Sequence, residues 1–411
     1  MQNNAEPKHE SRRESRRESR RDALDAIIVG GGAVALSAAL ALAADSQQAG
    51  KIAFKCALVF KQAPAALNTE LDPRVYALAP DVLAELAKLG VEFSAARAQP
   101  YQQMRVWDAK SSLEFNATDY GWPALGCIVE HRVLIDALWQ ALQASNVRLI
   151  EAQANLSFDE RGALIDAGNE TLRAELIIAA DGAKSPLRAQ AGIQSTSYDY
   201  LQSAIVVNIK TDAAQPLSCA WQRFYADSTL AFLPLPNGVL NVVWSLPSPA
   251  AQRLLGLTDS AFLAELQTAS EAKAGQLSEP GPRQLAPLQR LLAERYVQNG
   301  VVLVGDAAHC VHPMAGQGLN MGLRDCFTLS EYLTGAHSTA ARQRALRRYE
   351  RERRSENSIS TFGIDALQKL FAPANGPIAL ARRFGLQAVN QITPIKRLFA
   401  ELAAGKIAGW P

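Results

Sequence analysis

Three short stretches, far apart in this 411-residue chain, carry residue types suited to a phosphorylated, hydroxyl-rich ligand. The first is Val29-Gly30-Gly31-Gly32-Ala33-Val34-Ala35, after the β-branched run Ile27-Ile28-Val29. Gly30 permits a tight turn after a strand, and Gly32 lets the next helix bring its backbone to a pyrophosphate. Ala35 takes the third small position, which keeps helix and strand close. The helix start adds oriented N–H groups and a partial positive charge.

The second stretch is Ala180-Asp181-Gly182-Ala183-Lys184-Ser185-Pro186-Leu187-Arg188. A buried strand at 176–180 delivers Asp181 and Gly182 at its tip. Asp-Gly is common turn punctuation, so its weight comes from order and context. The third is Gly305-Asp306-Ala307-Ala308-His309, running on into His312-Pro313-Met314-Ala315-Gly316-Gln317-Gly318-Leu319-Asn320. A carboxylate after a glycine at a strand end accepts hydrogen bonds from ligand hydroxyls. Gly316 and Gly318 free the backbone for close approach, and Pro313 stiffens the entry. N–H groups near Leu319 and Asn320, at a helix start, stabilise negative charge on a bound ring. His309 and His312 read as packing or hydrogen-bonding residues rather than general bases. Cys310 and His312 lack the second ligand pair that zinc needs.

These motifs need elements to hold them. A strand, a glycine turn, a helix over 33–44 and a second strand at 55–60 make the opening βαβ unit of a dinucleotide fold. Helical periodicity covers 82–89 and 132–144, the latter with Leu134, Leu138 and Leu142 along one stripe. A hairpin spans 104–108 and 113–116. Alternating segments at 204–210, 220–225, 230–235 and 240–245 predict an antiparallel sheet. A strand at 300–304 feeds Gly305-Asp306 and a helix over 318–333. The remainder reads as helical and basic, with seven arginines against three glutamates in 340–356.

Bulk properties narrow the partners. The first 22 residues carry seven Lys or Arg against five acids, and so hold the whole net charge of +2. They repeat Glu-Ser-Arg-Arg and are expected to be a disordered arm. The neutral body argues against nucleic acid as a partner, because such binding relies on many phosphate contacts. Five cysteines without CxxC spacing fit a reducing compartment, with no metal site expected. The 19 uncharged residues of 26–44 mimic a membrane span or leader. Three consecutive glycines at the centre favour strand, turn and helix instead.

The three fingerprints together resemble the single-component FAD aromatic hydroxylases, which have the p-hydroxybenzoate hydroxylase fold. Several further stretches resemble the branch of that family acting in ubiquinone biosynthesis. They include Asp72-Pro73-Arg74-Val75-Tyr76-Ala77-Leu78, Tyr198-Asp199-Tyr200, Leu230-Ala231-Phe232-Leu233-Pro234-Leu235 and Val243-Trp244-Ser245-Leu246. The resemblance spans roughly 23–405. It implies an α/β protein in which a Rossmann-like FAD-binding domain interlocks with an antiparallel-sheet substrate domain and a C-terminal helical region. The expected division is a charged arm at 1–22, FAD-binding segments at 23–91, 126–196 and 285–335, a substrate-domain hairpin at 92–125, a substrate sheet at 197–284, and C-terminal helices at 336–411.

The resemblance also implies a chemistry. NAD(P)H reduces FAD, O2 adds to form a C4a-hydroperoxyflavin, and a polyprenylphenol ring is hydroxylated. Asp306 is then the ribityl acceptor, Asp181-Gly182 the second fingerprint, and Arg74 and Arg132 match arginines directed at FAD. The C-terminal helices suit peripheral docking on the inner face of the cytoplasmic membrane by an otherwise cytoplasmic enzyme, with proteins of a ubiquinone-biosynthesis complex as further partners. Two other readings stand beside it: a flavin monooxygenase of a soluble aromatic or polyketide, and a weakly active flavin-binding accessory subunit. One departure bears on the last. The second strand ends Val59-Phe60-Lys61-Gln62, with no acid to grip the adenosine ribose, and Gln62 is the neutral substitute.

Overall fold

The computed structural model describes residues 24–44, 53–108, 112–160, 162–212, 218–312 and 316–371. The expected arm, Pro313 and the C-terminal stretch beyond 371 lie outside these residues.

Two sheets organise the chain. The first has a parallel centre in which Leu24–Val29 lies between Cys56–Phe60 and Glu170–Ala179, flanked by Arg148–Glu151 and Val301–Leu303. Ile27, Ile28, Leu58, Ile177, Ile178 and Val302 are fully buried, as expected of strands covered on both faces. The register decides the function of this sheet. Val29 pairs with Ala179 and with Val59, and Ala179 pairs with Leu303. The residues that follow each strand therefore emerge at one level along one edge.

Helix Ala33–Ala43 covers this sheet and is buried at nine of its eleven positions. It packs against helices Gln317–Thr334 and His131–Gln143. The long uncharged run is thus a buried strand end, a glycine turn and a largely buried helix. Among the described residues no helix is long and apolar enough to cross a membrane.

The second sheet is mostly antiparallel. Strand Ser195–Thr211 lies between Val239–Pro247 and Gln284–Ala293, followed by Thr229–Leu235, Cys219–Phe224 and the hairpin Gln103–Trp107 with Ser112–Asn116. The hairpin joins through a parallel pairing with Cys219–Phe224. Pairing with Ser195–Thr211 carries Gln284–Ala293 on to Ala293, so this sheet runs past the boundary expected at 284. Its outer face packs Ile205, Val207, Leu230, Phe232, Val242 and Trp244 with Phe262, Leu266 and Leu254 of helices Asp259–Ala269 and Ser248–Leu255. The opposite face is free to look at the first sheet. A small third sheet of Val75–Leu78, Gly126–Glu130 and Ala98–Tyr101 lies at the junction.

Two glycines are set by geometry rather than by flexibility. Gly30 has φ +145°, and a Cβ there would meet the Ala180 carbonyl oxygen at 2.3 Å. Gly305 has φ +59°, and a Cβ would lie 2.9 Å from Val34. Both mark places where a motif turn touches a neighbouring motif.

Candidate active site

A cleft of about 1150 Å³ lies between the two sheets. Ordinary small-molecule pockets run to roughly 300–1,000 Å³, so this one suits a large ligand together with a second molecule. Gly30, Gly32, Arg74, Arg132, Asp181, Gly182, Asp306, Gly316, Gly318 and Leu319 all line it. Ala35 is fully buried behind the glycine turn. Asn320 is buried too, and its side chain braces the loop. It donates to the carbonyls of Ala77 (2.8 Å) and Gly316 (3.1 Å) and accepts from the N–H of Ala79 (2.9 Å).

Two helix starts open into the cleft. Helix Ala33–Ala43 begins after Gly32, and helix Gln317–Thr334 after Gly316 in a left-handed conformation. Neither has a side-chain cap or an acid in its first turn. Each thus presents uncompensated N–H dipoles, equivalent to about half a positive charge.

The acids behave differently from one another. Asp306 lines the cleft and is exposed in it, while desolvation by the surrounding walls raises its carboxyl above the usual range. Asp181 accepts from the N–H of Leu187 through Oδ2 (3.1 Å), while Oδ1 is buried with no partner among the described residues. Burial raises this carboxyl as well. Ser185 caps the following short helix, and Arg188 donates to the carbonyls of Ala307 (2.8 Å) and Ala183 (2.9 Å). Arg188 therefore ties the second motif to the third and does not face the ligand space.

The two cleft arginines also divide. Arg132 is held at the rim by Asp72 (3.5 Å) and Asn68 (3.2 Å). Arg74 has no carboxylate within ion-pair distance among the described residues and lies over the Tyr76 ring at 5.5 Å. Its loop is anchored from three sides. The N–H of Asp72 donates to buried Glu130 (2.7 Å), Asn208 donates to the Asp72 carbonyl (3.1 Å), and Asn241 donates to the Pro73 carbonyl (2.6 Å). Arg97 neutralises Glu130 through two hydrogen bonds. The asparagines belong to the second sheet, so substrate-side residues aim a cofactor-side loop.

Three features were beyond sequence reasoning. Tyr76 and His131 line the cleft as a pair, 3.0 Å apart from hydroxyl to Nδ1. Burial, reinforced by Arg74, lowers His131 to about 4, so the ring is neutral at ordinary pH. The alternation in Arg74-Val75-Tyr76 is the only local signal for this pair. The second feature is Asp325, fully buried in helix Gln317–Thr334. It accepts from the N–H of Gly305 (3.0 Å), from Arg353 (2.9 Å) and from Asn357 (3.0 Å), and pairs with His309 (2.6 Å). His309 is thereby structural, as expected. His312 contacts Gln202 (3.1 Å) and the edge of Tyr200, away from the cleft. The third is the packing of Phe60, at the strand end where the sequence already lacks the ribose acid. Its ring lies edge-on against Trp139 at 5.2 Å, while Lys61 and Gln62 reach the cleft.

These residues fit a flavin dinucleotide. The bare helix starts suit a pyrophosphate and an electron-rich ring edge, and the orphaned Asp181 oxygen awaits a donor. Comparison with known proteins agrees. A family described as FAD binding domain matches residues 23–358. The 3-demethoxyubiquinol 3-hydroxylase of Escherichia coli (strain K12) is 34% identical over 92% of this chain and 97% of its own. The ubiquinone hydroxylase UbiL of Rhodospirillum rubrum is 34% identical over 93% of this chain and 90% of its own. Among solved structures, p-nitrophenol 4-monooxygenase PnpA from Pseudomonas putida DLL-E4 superposes with a TM-score of 0.73 at 16% identity, covering 94% of this chain and 99% of that one. The chain belongs to the FAD-dependent hydroxylase family of ubiquinone biosynthesis.

Proposed function

We propose that this protein hydroxylates the aromatic ring of a polyprenylphenol intermediate of ubiquinone biosynthesis, with NAD(P)H as electron donor and O2 as oxygen source. One observation carries the reading. The parallel strands deliver three cofactor motifs to a single edge, and the second sheet closes the same cleft with small apolar side chains. Bound FAD supplies the electron storage and oxygen activation that no side chain here provides.

The chain's residues take the remaining roles. Gly30 and Gly32 shape the turn whose helix start would hold the pyrophosphate, with Ala35 keeping that helix tight against its strand. Asp306 would accept from ribityl hydroxyls, and Asp181, followed by Gly182, would accept from a neighbouring donor. The N–H groups at Gly318 and Leu319, after Gly316 and braced by Asn320, would stabilise negative charge at the ring edge. Arg74, with no carboxylate partner among the described residues, would offer its guanidinium to the cofactor while Arg132 braces Asp72. Ala204, Val206, Ala231 and Val243 would exclude water from the reacting ring.

Substrate-stimulated NAD(P)H oxidation by the purified holoprotein, with the hydroxylated phenol identified by mass, tests this. Oxidation without stimulation and without product overturns it. The same reading takes in peripheral membrane contact, since a polyprenyl tail lives in lipid. In support, Tyr198, Leu201, Ile359 and Phe362 are all more than half exposed, and Arg290 lies over both the Tyr198 and Phe362 rings. Co-sedimentation with anionic vesicles is expected to fall for Leu201→Asp with Phe362→Asp; unchanged binding removes that contact.

A further inference from the structure

We infer that the side-chain amide of Gln222 is the specificity-determining contact for the oxygen substituent of the substrate ring. The inference rests on the hydroxylase reading above. Strand Cys219–Phe224 lies between Thr229–Leu235 and Gln103–Trp107, near the middle of the second sheet. Residues alternate between its two faces. Trp221 packs with the helix-side core, as do Phe232 and Leu230 of the neighbouring strand. Gln222 and its register partner Ala231 therefore face the other way, into the cleft.

The wall around it is mostly apolar; Gln284, the register partner of Val206, is a second amide of this sheet that lines the cleft, but it is exposed. Ala204, Val206, Ala220, Ala231, Leu233 and Val243 share this face and line the cleft. Gln222 is the buried amide set among them. It is only 5% exposed, and its amide has no hydrogen-bond partner among the described residues. A buried amide without a partner is destabilising, and native interiors rarely keep one. Open to the cleft, the group is satisfied by water. A ligand that fills the cleft displaces that water and must replace its hydrogen bonds or bind more weakly.

An aromatic ring with a hydroxyl group meets this requirement. Oε1 accepts the hydroxyl proton, and Nε2 donates to the same or an adjacent ring oxygen. A ring without oxygen leaves the amide stranded against hydrocarbon. The amide is neutral, so it orients a phenol without ionising it. The small side chains on either side leave room for bulky ring substituents. Gln222 thereby sets which way round the ring lies on the wall, and so which carbon is presented.

The test compares 2-prenylphenol with the matching prenylbenzene, which lacks the hydroxyl group. Dissociation constants are read from the perturbation of bound-flavin absorbance, in wild type and in Gln222→Met, which keeps the length of the side chain. The phenol is expected to bind about tenfold more weakly to the variant, the prenylbenzene equally well or better, and FAD as tightly as before. Gln222→Leu repeats the measurement should methionine fail to fold. Equal weakening of both ligands, or of neither, overturns the role of Gln222 while leaving the hydroxylase reading intact. Wild type binding neither ligand overturns the substrate reading, and this inference with it.

Discussion

The two walls of the cleft are built on opposite principles. The cofactor wall is made of backbone: glycine turns, bare helix starts and strand ends aligned by register. Two of its turns leave no room for a side chain, at Gly30 with its 2.3 Å approach and at Gly305. The substrate wall is made of side chains projecting from a regular antiparallel sheet, and its strands would hold with other residues there. The difference teaches that one wall is constrained by main-chain geometry, while the other is free to specify a substrate. Substitutions on the first should damage folding and flavin binding together; those on the second should change ligand binding alone.

The largest expected effect is at Asp325. Asp325→Asn breaks a fully buried network that fixes the Gly305-Asp306 turn, and should lower stability by about 3–5 kcal/mol in denaturant titrations, with loss of flavin. Its pH dependence sharpens the point. Burial alone would raise the carboxyl, but His309 and Arg353 beside it hold it at about 2. A depressed carboxyl contributes stability that is full above its unfolded value of about 3.9 and vanishes as pH falls through the folded one. The gap between wild type and variant should therefore narrow as the pH drops from about 4 to about 2.

Next is Gly30→Ala, which forces a side chain into a glycine-only conformation and against a carbonyl oxygen. Roughly 2–4 kcal/mol of stability should be lost, with flavin content falling in parallel. On the other wall, Ala231→Phe should weaken prenylphenol binding about tenfold, or roughly 1.4 kcal/mol, while flavin affinity and melting temperature stay near wild type. If flavin affinity fell as far, the two walls would not be separable. The smallest effect is at the adenosine end. Gln62→Glu places an acid beside the cleft two residues past the strand, and should tighten flavin binding by about 0.5–1.5 kcal/mol in fluorescence titrations. Phe60 is the poorer position, since a carboxylate there would be buried against Trp139.

Local chemistry made the opening βαβ unit, the Gly305-Asp306 turn and the alternating strands of the second sheet legible from sequence alone. Such features depend on near neighbours: β-branched runs, glycine turns and period-two alternation each act within a few residues. The long reach of the second sheet to Ala293 was less legible, because the apolar pattern continues past a Pro-rich stretch without saying which strand it pairs with.

The sequence by itself determined that three motifs exist, which residues they contain and that the chain folds as an α/β flavoprotein. Only the tertiary structure decided that Val29, Ala179 and Leu303 end level, so that the motifs share one cleft. It also decided that Arg74 has no carboxylate partner among the described residues while Arg132 is engaged, that Tyr76 meets His131, and that Asp325 reaches back to Gly305. Those contacts join residues 20 to 150 positions apart, and each depends on strand register and helix packing rather than on local propensity.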